Sequence, residues 1–152
     1  MQILTSLSYW LHAVATVIFI GHFVLLALIY LPVLSKSGNG AVLSGISKQS
    51  RSWMYASLIV FTITGIYLTL VDPNYMGIGN FSNVWAIAML VKHILVIAMI
   101  GIGFWYNAIL RVGPMMSSNN PVPAIARFRT YTNAMAICGV LVLLLTAFAQ
   151  VK

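Results

Sequence analysis

Acidic residues are almost absent from this sequence of 152 residues. Asp72 is the only Asp or Glu, and charged residues of both signs make up only 6% of the chain. Soluble domains carry about 25% charged residues, so a chain with this composition cannot present a fully water-facing surface. A carboxylate-ligated di-metal bundle is excluded as well, because such a site needs several Glu residues.

Cysteine is equally scarce. Cys138 is the only one, which excludes an internal disulfide and a cysteine-based zinc site. It lies in an apolar run, where a cysteine usually acts as a small packing residue. The sequence also contains no phosphate-binding loop, nucleotide fingerprint or nucleophile–base pattern, so nothing in it indicates an enzyme that acts alone.

Apolar residues make up 61% of the sequence, and the mean hydropathy is +0.99. A helix needs about 20 apolar residues to cross a bilayer, and four runs are that long. They predict helices at about 4–34, 53–71, 84–110 and 124–151. We therefore expect an all-α integral membrane protein, an up-down four-helix bundle that forms a single transmembrane domain over residues 1–152. The first run is too long for a secretory signal and should be a mature helix.

Basic residues are concentrated in two of the three connections. Six of the eight Lys and Arg follow the first and third runs: Lys36, Lys48, Arg51, Arg111, Arg127 and Arg129. The positive-inside rule then predicts that these connections face the cytoplasm and that both termini lie outside. The bases flank apolar runs and form no stripe with aromatic residues, so the net charge of +7 does not indicate nucleic-acid binding. We expect a multi-pass protein of a bacterial cytoplasmic (inner) membrane.

Three histidines lie inside the predicted spans, His12 and His22 in the first and His93 in the third. Lys92 is the only full charge deep within a span, and ionisable residues at such depth usually face the protein interior and mark a site. Without acids, the histidines cannot complete a proton relay. Haem remains feasible, because it needs only one or two axial ligands and neutral imidazole suits iron.

A shift of 81 residues places His12 on His93, in helices that would run in the same direction. We therefore expect haem b between the first and third helices, with His93 as one axial ligand and His12 as the preferred other. His22 remains the alternative partner; it is about 15 Å from His12 along the helix, too far to share one ion. Lys92 either pairs with a haem carboxylate or extends to the outer surface. Gly21 would allow a porphyrin or a neighbouring helix to approach closely.

A family resemblance is carried by three segments: LHAVATVIFIGHFVLLALIYLPVL, SRSWMYASLIVFTITGIYLTL and VKHILVIAMIGIGFWYNAILRVGP. They resemble the CopD-like integral-membrane superfamily, which includes copper-resistance membrane proteins, and are similar in outline to the HemJ-type haem-synthesis proteins. The shared features are Leu-His early in helix one, Thr-Gly in helix two, and in helix three an early Lys and a following Gly-Pro. The resemblance covers about residues 9–116.

This resemblance implies a bundle that handles haem or copper, with His12 and Lys92 at matching positions. The chain departs from the family pattern at Asn107, where many members carry a histidine late in helix three, and His93 is additional. The ligand set of the family is therefore not copied onto this chain.

The sequence favours a b-type haem membrane protein that serves as an electron-transfer subunit of a larger membrane complex, because its connections are too short for a soluble catalytic domain. Two alternatives stay open: a copper transport or resistance protein, and a cofactor-free structural subunit. Cuprous copper prefers thioether ligands, and the chain has eight methionines.

Overall fold

The computed structural model describes residues 2–33, 40–77, 83–105 and 121–150. These residues form four long α-helices and no strand: α1 (Gln2–Leu25), α2 (Gly40–Val71), α3 (Val84–Trp105) and α4 (Pro121–Gln150). Each helix contains a segment long and apolar enough to cross a membrane. For the described residues, the predicted all-α chain with four helices of membrane-spanning length is confirmed.

Helix α1 continues into a π-helical segment, Leu26–Tyr30, and the chain remains helical to residue 33. The cause lies in Pro32, which has no N–H for the carbonyl four residues earlier and whose ring would clash with that carbonyl. A widened turn before the proline relieves both conflicts, and such π-segments are inserted in otherwise regular helices. The predicted end of this helix at residue 34 lies outside the described residues.

Helix α2 begins at Gly40 rather than at the predicted residue 53. The Gly and Ser content of this segment predicted a loop, and for residues 40–51 that prediction was wrong. A glycine inside a helix costs about 1 kcal/mol relative to alanine. Extending an existing helix adds one hydrogen bond per residue without a new nucleation step. The added residues of α2 start before the apolar span, which begins at Lys48.

Local signals determine where α3 and α4 begin. The side-chain oxygen of Asn83 accepts a hydrogen bond from the backbone N–H of Ala86 at 2.6 Å, which caps α3 so that it starts at Val84 as predicted. Helix α4 starts at Pro121, slightly before the predicted residue 124. A proline in the first turn removes no helical hydrogen bond, because the first N–H groups of a helix have no partner. The predicted end of α3 at residue 110 lies outside the described part of the chain.

Helix packing is uneven. Within the described residues, α1 packs against α2 and α4, whereas α3 packs closely against α4 alone, and neither α1–α3 nor α2–α3 is a close pair. The bundle is therefore open between α2 and α3, a gap that we call the α2–α3 seam. The buried share of the apolar span falls from 39% in α1 to 11% in α3. The rest of the described chain therefore leaves most of the α3 span uncovered.

The hydrophobic core includes residues of all four helices, among them Phe19, Phe23, Met54, Leu58, Met99, Met135 and Val142. Gly139 allows α4 to approach α1 closely. A Cβ at this position would lie 2.7 Å from Cγ2 of Ile20, closer than real contacts permit. Small residues at helix crossings are typical of packing in membranes. This contact holds α1 and α4 together at the middle of the bundle.

Candidate functional site

A cavity of about 720 Å³ lies at the end of the bundle that holds the start of α1 and the end of α2, and all four helices line it. Cofactor and small-molecule sites commonly have volumes of roughly 300–1,000 Å³. The cavity coincides with the α2–α3 seam: Phe61 and Gly65 line it from α2, and Met89 and His93 from α3. Most of the other lining side chains are apolar.

His12 lines this cavity from α1, and its ring contacts Thr64 on α2. Nδ1 of His12 lies 2.9 Å from Oγ1 of Thr64. The Thr64 hydroxyl donates its single proton to the carbonyl of Val60, at 2.6 Å. With that proton on the Val60 carbonyl, the hydroxyl accepts from His12, an arrangement in which Nδ1 carries the ring proton and Nε2 the lone pair.

Packing on α2 also fixes the plane of the His12 ring. The imidazole stacks on Phe61 with ring centroids 4.7 Å apart and an interplanar angle of 19°. Gly65 lies against the same ring, and a Cβ there would be 3.1 Å from Cε1 of His12. A side chain at position 65 would therefore push on the imidazole. The His12 ring therefore has little freedom to move, because it is hydrogen-bonded to Thr64, stacked on Phe61 and in contact with Gly65.

His93 lines the cavity from α3 and is oriented by its own helix. Nδ1 lies 2.6 Å from the carbonyl oxygen of Met89. A carbonyl oxygen only accepts hydrogen bonds, so Nδ1 of His93 carries the proton and Nε2 the lone pair. His12 and His93 thus share one tautomer and line one cavity. A histidine whose Nδ1–H is held by an acceptor presents Nε2 to a metal, which is the usual arrangement at metal sites.

Lys92 is a third predicted site residue that lines the cavity. The chain's only acid, Asp72, lines it too, but Oδ1 of Asp72 accepts hydrogen bonds from the backbone N–H and the side-chain amide of Asn74, at 2.9 and 3.0 Å. Lys92 makes no ion pair with any described residue. Among the described residues, the cavity therefore contains a cation without a paired anion.

The two remaining predicted site residues, His22 and Gly21, do not line the cavity. Nε2 of His22 lies 3.5 Å from Oγ of Ser50 on α2, and its ring meets Phe23 edge-on with centroids 5.7 Å apart. A Cβ on Gly21 would meet no atom within 4 Å, so no described helix approaches closely there. Asn107, the position at which the chain departs from the family pattern, lies outside the described residues.

Several residues that shape the site were not identified as such from the sequence. Phe61, Thr64 and Gly65 hold His12, and the Met89 carbonyl holds His93. One signal was present, because the Thr-Gly pair of helix two is among the motifs that carry the family resemblance. Nothing in the pattern of residues indicates that this pair lies beside His12.

The groups that line the cavity could hold a haem. Within the described ranges, no three His, Cys, Asp or Glu side chains lie close enough to hold a bare metal ion. Haem iron receives four ligands from its macrocycle, so one or two imidazoles complete its coordination. The cavity offers two imidazole Nε2 atoms, a cation and mostly apolar walls, which suit an apolar ring that carries acidic groups.

No protein-family model, curated protein or solved structure matches this chain. Membership of the CopD-like superfamily therefore stays a prediction based on short motifs. Three positions of those motifs, His12, Gly65 and Lys92, line the cavity.

Proposed function

We propose that this chain is a b-type haem protein of the membrane and that it carries electrons as a subunit of a larger membrane complex. The observation that supports this most directly is the pairing of His12 and His93. Both line one cavity, and each has a bonded Nδ1–H and an Nε2 lone pair. Neutral imidazole is a common axial ligand of haem iron, and a bound haem would supply a one-electron redox centre.

The residues of the chain would bind and orient the group and exclude water from it. Thr64 and the Met89 carbonyl hold the two Nδ1 protons and so keep both Nε2 atoms available. Phe61 sets the plane of the His12 ring. Apolar side chains farther inside the cavity, among them Val96, would limit access of water, and such a shell influences redox potential.

Met89 is a specific reason to keep copper as a second candidate. It lines the cavity together with His12 and His93, and cuprous ions bind both thioether and imidazole groups. The cavity size favours haem, because about 720 Å³ is far more space than one ion held by three side chains would need. In the copper alternative, the ion would be cargo of a transport or resistance protein.

The visible absorption spectrum of the purified protein tests the proposal. Ligation by two imidazoles should give the Soret band of low-spin haem and sharp α and β bands after reduction by dithionite. Copper in the metal analysis without porphyrin bands would favour the second candidate. A protein free of both would contradict both and leave a structural subunit.

We propose that the cavity lies in the outer half of the membrane. The described bases of α2 and α4, Lys48, Arg51, Arg127 and Arg129, lie in the halves of these helices far from the cavity. The positive-inside rule then places that end in the cytoplasm of a bacterial cell and both termini outside.

Cysteine labelling tests this orientation in a Cys138→Ala background. Ser37→Cys should react only with a reagent that reaches the cytoplasmic side, and Asn80→Cys should react from outside. Both positions lie outside the described residues, so their placement rests on the sequence alone. Preferential labelling of Ser37→Cys from outside would reverse the proposed topology.

A larger assembly is supported by the lipid- or partner-facing surface of α3, of which Ile87, Leu90 and Ile94 are exposed members. We expect partner subunits to remain bound after extraction in a mild detergent and to dissociate in a harsh one. Native mass spectrometry of both extracts measures this directly. A monomer in the mild extract that retains all of its haem would argue against an obligate subunit.

A further inference from the structure

We propose that Lys92 binds a carboxylate of the cavity's ligand, so that the site selects acidic amphiphiles and holds their acidic group at the polar end. This inference rests on the proposed haem function, in which the carboxylates are the haem propionates. It assigns Lys92 a role in ligand selection, separate from the axial role of the histidines.

The first argument is charge balance. An ammonium group held away from bulk water is costly unless an anion pairs with it. The chain has a single acidic side chain, Asp72, and one oxygen of that carboxylate already accepts two hydrogen bonds from Asn74. All other residues that line the cavity are neutral or basic. A ligand that enters with its own carboxylate would supply the missing anion.

The second argument is the distribution of polar groups along the cavity. Tyr9, Asn74 and Trp85 line the end at which α2 finishes and α3 starts, whereas Ile100 and Val142 line deeper parts. Lys92 is eight residues into the span that starts at residue 84, about 12 Å along the helix. A lysine side chain there lies between the apolar part and the polar end, where the head of an amphiphile would be.

The alternative is that Lys92 only extends to the water at the membrane surface, as long basic side chains commonly do. The two roles differ in what they predict for ligands. If Lys92 only extends to the surface water, ligand affinity does not depend on the ligand's acidic groups. A carboxylate-binding lysine distinguishes an acid from its ester.

Porphyrin titrations of the full-length protein, freed of any endogenous haem, provide the test. The probes are haem b and its dimethyl ester, and the iron-free protoporphyrin IX and its dimethyl ester. We expect the wild type to bind each acid about tenfold or more tightly than its ester, a typical range for a charge-assisted contact. Lys92→Gln should weaken binding of both acids by the same factor and leave both esters unaffected, and Lys92→Arg should preserve the preference. Lys48→Gln, which alters an exposed lysine outside the cavity, is the matched control.

Equal loss of acid and ester in Lys92→Gln, or no loss of either, would overturn the proposed role. The iron-free pair separates this result from a failure of the haem proposal. If protoporphyrin IX binds with the acid preference but haem b gives no low-spin spectrum, axial ligation is wrong and the role of Lys92 stands. If neither porphyrin acid binds to the wild type, both proposals fail.

Discussion

Replacing His93 by alanine should abolish the low-spin haem spectrum of the purified protein. The substitution removes the only imidazole that lines the cavity from α3. His12 alone would leave one axial position of the iron without a protein ligand. We expect His93→Ala to lower bound haem at least about tenfold, by analogy with the 10–100-fold effects of weaker perturbations at metal sites. Reduced-minus-oxidised spectra and haem content per protein measure the effect, and His12→Ala should behave similarly.

His22→Ala is the matched control for this experiment. Like His12, His22 is a half-buried histidine of α1, but it contacts Ser50 and lies outside the cavity. Its replacement should leave the spectrum unchanged, and imidazole added to the buffer should restore part of the low-spin signal in His93→Ala. An unchanged spectrum in His93→Ala would contradict the ligand assignment. If only His22→Ala lost the signal, the haem would have to be assigned to the opposite end of the bundle.

Replacing Gly65 by valine should weaken haem binding and change the haem spectrum nearly as strongly as His93→Ala does, although position 65 supplies no ligand atom. A Cβ at residue 65 would lie 3.1 Å from Cε1 of His12. The ring cannot shift freely, because Phe61 stacks on it and Thr64 holds Nδ1. We expect the imidazole to leave its position, which should convert low-spin haem to a high-spin form and lower haem affinity by about tenfold. Gly65→Ala should show a weaker form of the same effect.

The spectral change at position 65 should occur without loss of folding. Alanine is about 1 kcal/mol more favourable than glycine inside a helix, which offsets part of the cost of displacing the His12 ring, so Gly65→Ala should keep the thermal stability of the apoprotein close to that of the wild type. Gly101 is a suitable control, because a Cβ there would meet no atom within 4 Å. Gly101→Ala and Gly101→Val should keep the wild-type spectrum. A wild-type spectrum in Gly65→Val would show that the contact with His12 is not needed.

The sequence predicted the helices better than their arrangement. Four apolar runs gave four helices, and the start of α3 at Val84 was predicted correctly. The start of α2 was missed, because Gly and Ser were weighted as loop formers without regard to how little helix extension costs. The α2–α3 seam could not be predicted, because helices that are apolar on every side do not reveal which face meets protein and which meets lipid.

The residues of the candidate site were predicted better than the contacts that hold them in place. Depth in the membrane and the absence of acids singled out His12, His93 and Lys92, and the structure places all three in one cavity. His22 could not be separated from His12 by depth alone, since the helix boundaries were uncertain by several residues. The support from Thr64 and Gly65 depends on how α1 and α2 face each other, which a single sequence does not record.

Helix α4 packs against both of the helices that carry the two imidazoles, although it contributes neither of them. His12 belongs to α1 and His93 to α3, and in the described residues these helices are joined through their separate interfaces with α4. A change in the α1–α4 crossing alters the gap between the two Nε2 atoms. The contact of Gly139 with Ile20 lies in that crossing and outside the cavity. The distance between the two imidazoles therefore depends on a helix contact remote from both of them, and enlarging residue 139 should alter the proposed haem site without touching it.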